Sequence, residues 1–405
     1  MHSIKPNTAT GDFDFSRPTT GSATGIGSRE NSSGNIESVA ANLPRIDYLG
    51  GTGHILLEPQ STNTATYSND FTQGDIFNQS NSPSLNTSVL TQNQGTAPDG
   101  TNTAQKLTDD NDGGTGSITL NYNGTNFTSG QASTVSIFVK KDTVRYFRIG
   151  IANLDTSQVT SFDLDTGLVN DGTGVMTDYG DGWYRCSATI TTTTDLTGSV
   201  SFAISNNPTV SGGNLRNGTK STFLWGLQAE EKSFATSYIP TSGEQNGVTR
   251  SQDEANNSGS SDLINSTEGV LYAEIAALVD DQTRRDISIS DGSNENTIRF
   301  HYQNAVSNTI RFQIRAANSI TVSSAFSVTD IKDFHKVAIS YKLNDVKFFI
   351  DGVKVGTDTS AAMPTGLNQL SFYQGAASQN FFGKVKCVAV FKEALTDAEL
   401  TCLTT

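Results

Sequence analysis

The sequence predicts an all-β protein, two antiparallel β-sandwiches in tandem behind an extended N-terminal arm. Charged residues make up only 17% of the 405 residues, while Gly, Ser, Thr and Asn crowd every stretch, which is not a helical composition. The apolar runs are built from Val, Ile, Phe, Tyr and Thr, side chains that fit a pleated, half-buried surface. Asn-Gly, Asp-Gly and Gly-Gly pairs recur at short intervals and punctuate the chain as in a sandwich or barrel. Single cores rarely grow beyond about 250–300 residues, so a chain of this length divides into at least two domains.

In chain order, residues 1–62 hold little periodicity, and residues 19–33 are mostly Gly, Ser and Thr. Such a segment cannot bury enough surface to order alone. It is expected to be an arm with little regular structure, anchored by Phe13, Phe15, Ile36, Val39, Leu43, Ile46 and Tyr48. Residues 63–241 read as the first sandwich. Val135, Ile137 and Val139 form one strand, and others follow at 146–151, 161–164, 183–190, 200–204 and 222–227, with turns at Asp165-Thr166-Gly167 and Asp181-Gly182. Residues 242–261 are polar with almost nothing to bury and read as a linker. Residues 262–405 read as the second sandwich, with strands at 270–276, 287–290, 297–302, 310–316, 336–342, 346–350, 367–373 and 383–391. Asp351-Gly352 is its hairpin turn. One short helix is expected after Thr396, where Glu399 completes a capping box.

The net charge of −14 excludes function classes. Phosphate tracking needs clustered Lys and Arg, and none is visible, so neither nucleic acid nor an anionic membrane surface is an expected partner. Three cysteines, Cys186, Cys387 and Cys402, are an odd count for a disulfide framework and read as small apolar residues, with a Cys387–Cys402 bridge left open. The start lacks an apolar signal segment, and no run reaches the roughly 20 apolar residues of a spanning helix. A chain made in a reducing cytoplasm and released by lysis is expected.

Two stretches carry family resemblances. DFSRPTT at 14–20, NSSGNIESVAANLPRIDY at 31–48, LLEPQSTN at 56–63 and YSNDFT at 67–72 follow in order. APDGTNTAQKLT at 97–108, DGWYRC at 181–186 and LWGLQAEEKSFATSYIPT at 224–241 continue the series. This string resembles a family of phage virion proteins, tail-fibre, head-fibre or minor structural proteins, whose sandwich is similar to a carbohydrate-binding-module jelly roll. It departs from the pattern in the Gly-rich insertion at 21–27 and at Ile76-Phe77, where a Trp is common. Residues 334–357 (FHKVAISYKLNDVKFFIDGVKVGT) and 381–400 (FFGKVKCVAVFKEALTDAEL) resemble the laminin-G-like, concanavalin A-like jelly roll. The resemblances imply a virion protein docked on the capsid or tail by its arm, through Phe13, Phe15, Arg17, Ile36, Leu43, Ile46 and Tyr48. They imply self-association as a trimer, and sandwiches presented to a host-surface glycan. No cofactor is expected; jelly rolls of this kind often carry a structural calcium, and the resemblance leaves one open. The alternative is a non-catalytic carbohydrate-binding region of a secreted polysaccharide-degrading system.

The residues themselves point away from catalysis. Glycosidases on such a sandwich place carboxylates two apart on one strand, as Glu-x-Asp-x-x-Glu, and no Glu-x-Asp occurs in the sequence. His2, His54, His301 and His335 have no ligand-spaced partner, and His335 reads as a packing residue. No Gly-x-Ser-x-Gly elbow is present. Asp109-Asp110-Asn111-Asp112 is the turn best suited to calcium, though a solvated loop is the simpler reading. Trp183, Tyr184 and Trp225 suggest sugar stacking, but both tryptophans stand among apolar strand neighbours and read as core. Tyr302 and Tyr373, near strand ends of the second sandwich, are the candidate glycan-binding residues.

Overall fold

The computed structural model describes residues 12–73, 77–78, 88–116, 118–152, 158–208, 214–376 and 378–405; His2 and Ile76 lie outside them. The regular structure of the described residues is strand apart from one helix, Asp397–Thr404.

The first sandwich pairs two six-stranded sheets. One runs Gly174–Asp178, Trp183–Thr191, Ala132–Lys141, Ser221–Glu230, Ala104–Asp109, Ser88–Gly95. The other runs Leu168–Asp171, Gln158–Asp163, Tyr146–Ala152, Leu196–Ser205, Ile118–Phe127, Phe77–Asn78. The central neighbours of each sheet are distant in sequence, so connections cross between the sheets as in a jelly roll. Alternate residues point inward, and Leu120, Ile137, Val139, Phe147, Phe162, Phe202 and Leu224 make a fully buried core. Trp183 and Trp225 are core residues too, in a smaller cluster with Phe138 and Tyr238. Their indole N–H groups donate to Thr96 O and Thr103 Oγ1 at 3.1 and 3.2 Å.

The second sandwich stacks a five-stranded sheet on a seven-stranded one. The five are Ser319–Ser327, Thr309–Ala316, Thr297–Tyr302, Arg285–Ser290 and Gln369–Ser371. Ile289, Phe300 and Phe312 from this sheet meet Leu271, Ile339 and Phe348 from the other. Asp351 and Gly352 turn the hairpin with φ of 48° and 79°, the two positive values that a two-residue turn of this hand needs. Thr396 and Glu399 form the capping box, the backbone N–H of each donating to the other's side chain at 2.8 and 3.3 Å, and Leu400 buries against Val270, Tyr272 and Phe349.

The expected arm and linker are both corrected. Arg45–Asp47 and His54–Leu57 are the last two strands of the seven-stranded sheet, paired onto Gly383–Phe391. Within the expected linker, Val248–Arg250 lies between Ala23–Thr24 and Ser61–Asn63, and Glu254–Asn256 pairs with Asp14–Ser16. The two segments thus form a folded seam joined to both sandwiches. Apolar periodicity could not register it because the seam buries charge. Arg17, Arg45 and Arg250 are 0% exposed, Asp253 2% and Glu58 3%. Arg17 Nη1 donates to Asp253 at 2.7 Å, Arg45 Nη1 to Glu58 at 2.8 Å, and Arg45 Nη2 to Asp253. Arg250 Nη2 stands 3.3 Å from Glu58, which also accepts the Ser237 N–H at 2.8 Å.

The seam also uses up several residues expected to dock on a particle. Phe13 stacks 5.2 Å from Phe372, Arg17 sits in the charge cluster, and Ile36 joins the tryptophan cluster. Phe15, Ile46 and Tyr48 are half-buried, and Leu43 is the exposed one of the set. The cysteines are free; Cys186 is buried and Cys387 half-buried, but Cys402 is exposed on the terminal helix.

Candidate functional site

Neither tyrosine expected to bind a glycan can do so in this structure. Tyr302 shares the inward phase of Ile298 and Phe300, is 2% exposed and packs 5.7 Å from Phe381. Tyr373 is 8% exposed, its hydroxyl donating to Asn257 Oδ1 at 3.5 Å. The acidic turn does not suit calcium either. Arg216 donates to Asp112 at 2.6 Å and Asp110 at 3.4 Å, taking the place of a cation, while Asp109 accepts N–H groups of Asn111, Asn217, Gly218 and Lys220. No grouping of three or more His, Cys, Asp or Glu suited to a metal occurs among the described residues.

The chemistry collects instead on the outer face of the five-stranded sheet. Ile287, Ile289, Ile298 and Phe300 point into the core, so their strand neighbours Asp286, Ser288, Arg299 and His301 point out. Asp286, His301 and Arg311 stand side by side across three strands, as do Ser288, Arg299 and Gln313. Part of this face lies under the segment that follows Ser371, where Ser288 Oγ donates to Tyr373 O at 2.7 Å and Arg299 Nη1 to Gln374 O at 3.1 Å. Gly375, at φ +107°, is required there, since a Cβ would stand 2.5 Å from Ser293 O.

Cations dominate this face. Arg284 makes two bonds to Asp286, at 2.8 and 2.7 Å, and Arg299 Nε stands 3.6 Å from the same carboxylate. Burial, then Arg284, Arg299 and Arg311, push the His301 imidazole down to about 2, so it is neutral at ordinary pH. Burial raises the Asp286 carboxyl, opposed by Arg284. Burial lowers Arg299 to about 10, against the pull of Asp286.

The charged row ends at a cleft of about 290 Å³ between the two sandwiches and the N-terminal segment. Lys232, Ser233 and Phe234, just beyond the Ser221–Glu230 strand, form one wall. Arg284, Arg285 and Asp281 form another, and Gln379, Asn380, Phe382 and Pro59 close it. Both phenylalanines are half-buried, so ring surface stays accessible. Arg285 Nη2 donates to Asp281 at 2.9 Å, whereas Lys232 has no ion pair among the described residues. Sequence reading passed over these residues because they lie at strand ends that only tertiary packing brings together. A half-polar stretch after a strand, EEKSFATS at 230–237, was the one signal present. A larger cavity of about 1080 Å³ lies where Phe13, Ile46 and Tyr48 meet Ile264, Val388 and Val390, and its walls are more apolar than polar.

Residues 271–401 match the Laminin_G_3 family, of the concanavalin A-like lectin/glucanases superfamily. No curated protein matches the chain. Among solved structures, the chain is similar to the CBM40 of Ruminococcus gnavus IT-sialidase, at 16% identity over 34% of this chain and 83% of that one, with a TM-score of 0.30. Domain 4 of AbnA, a GH43 extracellular arabinanase from Geobacillus stearothermophilus in complex with arabinotriose, matches at 13% identity over 38% of this chain and 73% of that one, with a TM-score of 0.32. Domains LG4-5 of the mouse laminin alpha1 chain match at 10% identity over 69% of this chain and 88% of that one, with a TM-score of 0.23.

Proposed function

We propose that the chain is a non-catalytic glycan-binding protein that takes saccharide in the cleft between its two sandwiches. The observation that carries this reading is the lining of that cleft. Two accessible phenyl rings, Phe234 and Phe382, stand beside the amides of Gln379 and Asn380 and the cations Lys232, Arg284 and Arg285. Apolar faces with a few placed polar groups suit a sugar ring, which is apolar on one side and hydroxylated at its rim. The match of residues 271–401 to a lectin-containing superfamily supports the same class. Cleavage of a glycosidic bond needs two carboxyl groups across it. Asp281 is the only carboxylate among the described residues of the lining, and it is engaged by Arg285.

The biological setting we propose is the surface of a phage particle, as a tail-fibre, head-fibre or capsid-decoration subunit, self-associated as a trimer and presenting the cleft to a host-surface glycan. The ordered motif string from residue 14 to 241 supports it. Many weak copies on one particle give avidity, so a small cleft suffices. Two measurements test the reading. The full chain should retain host polysaccharide on an affinity gel without changing its size distribution, and Phe234→Ala should weaken retention at least tenfold; oligosaccharide release, or unaltered retention by the variant, overturns it. Immunogold labelling of purified particles tests the location, and unlabelled particles overturn that part.

A further inference from the structure

A second site lies on the first sandwich, away from the cleft. Phe147, Ile149 and Ile151 enter the core, so Arg148 and Gly150 face outward from the Tyr146–Ala152 strand, in the interior of its sheet. Of the arginines in the chain, all within the described residues, Arg148 alone has neither a hydrogen bond nor an ion pair. Its Nε is buried without a partner. An orphaned Nε recurs in other arginines, but there the terminal nitrogens are paired: Arg185 with Ser136 and Thr236, Arg216 with Asp110 and Asp112. Arg145, beside Arg148, is paired with Asp163.

Around Arg148 the surface is low and polar. Its cross-strand neighbours are Ser161 and Ala203. Nε and Nη2 lie 3.9 Å from where a Gly150 Cβ would stand, so the guanidinium spreads over a bare stretch of backbone. Ser201 Oγ borders that spot, and Asn170 Nδ2 reaches Ser161 Oγ at 3.5 Å. A partly buried cation with an orphaned donor is costly unless something pairs with it. Burial pulls its pKa down and no carboxylate opposes that, in a chain whose net charge is −14. Nη1 and Nη2 have no partner among the described residues either and are not buried. The planar Nη1/Nη2 edge matches the two oxygens of a carboxylate, and the flanking hydroxyl and amide offer the bonds that a sugar rim makes.

We infer that Arg148 is the anchor of a second saccharide site, one that takes a sugar bearing a carboxylate, with Ser201 and Asn170 contacting the ring hydroxyls. The test is calorimetric titration of the full chain with an oligosaccharide of glucuronate, its carboxyl-reduced neutral form, and a sulfated neutral oligosaccharide. The acidic form should bind and the carboxyl-reduced form should lose at least tenfold. R148Q should lose at least tenfold for the acidic form, while R148K keeps part of the affinity. Preference for the sulfated sugar would overturn the carboxylate assignment. A second readout does not depend on any variant folding: in the wild-type chain the Arg148 Nε–H resonance should shift on addition of glucuronate. Equal binding of all three sugars, or an unmoved resonance, overturns the proposal. Phe234→Ala should leave that shift intact, so failure of the cleft reading and failure of this one give different results.

Discussion

Two of the places where the molecule buries charge are built differently. In the seam, Arg17, Arg45 and Arg250 face Glu58 and Asp253, with no side chain more than 4% accessible. On the outer face of the second sandwich, Arg284, Arg299 and His301 share one carboxylate, Asp286, while Arg311 bonds only to neutral side chains. The seam is close to balanced and closed to solvent. The outer face carries surplus positive charge and runs into a cleft. A balanced buried cluster specifies how segments meet, whereas a surplus of donors beside solvent suits an anionic or hydroxylated ligand.

The largest expected effect comes from unbalancing the seam. Asp253→Ala leaves the Arg17 and Arg45 guanidinium groups buried and short of an acceptor, and removal of one partner from such a cluster costs about 3–5 kcal/mol. Urea denaturation of the full chain should show a loss of that order. A loss below about 1 kcal/mol would mean the seam is hydrated and the contrast with the outer face is false. Asp286→Asn should cost less, about 1.5–3 kcal/mol, the range for hydrogen bonds to charged groups, because the Arg284 side chain is 22% accessible and can turn to water. Equal losses in the two variants would break the comparison.

Acid should separate the clusters by pH window. Burial alone would raise the Glu58 carboxyl, but Arg250, Arg45 and the Ser237 hydroxyl outweigh it and hold it at about 2, against an ordinary 4.5. A depressed carboxylate contributes stability above its unfolded value and loses it as pH falls through the interval from 4.5 to 2. His301 is depressed from 6.5 to about 2. There the unfolded chain takes up a proton first, so the outer face begins to lose stability as pH drops below 6.5, with up to about 1.4 kcal/mol per pH unit at stake. His301→Gln should therefore flatten the stability profile between pH 6.5 and 5 and leave the steep fall below 4.5 in place. An unchanged slope above pH 5 would show that His301 is not buried as a neutral group.

These contrasts also explain what the sequence revealed. The sandwiches were legible because each core strand announces itself by alternation, as in Val135, Ile137, Val139 or Val200, Phe202, Ile204. Asp351-Gly352 and the Thr396–Glu399 box were legible because turn and cap chemistry is local. The seam was hidden because its burial is ionic and non-local: Asp253 lies 236 residues from Arg17 and 208 from Arg45. Tyr302 was misplaced by a matter of phase, since it shares the inward set of Ile298 and Phe300. The cleft was illegible for a further reason, since Lys232, Arg284 and Phe382 become neighbours only when both sandwiches and the N-terminal segment are in place.

The smallest effect on stability, and the sharpest on the comparison, is expected at Arg311. It is half-buried, donates to Ser323 at 2.7 Å and to Gln303, and stands in the row that continues from Asp286 and His301. Its partners can hydrogen-bond to water once it is gone, so Arg311→Ala should change stability by no more than about 0.5 kcal/mol, as for an ordinary surface substitution. If the surplus charge of this face serves a ligand, the same variant should bind an acidic polysaccharide measurably more weakly, with the gap to wild type closing as salt is raised and the charge screened. A variant that loses stability on the scale of Asp253→Ala would place Arg311 in a structural cluster like the seam. One that keeps both its stability and its affinity at low salt would leave the outer face without a role in binding and confine saccharide recognition to the cleft.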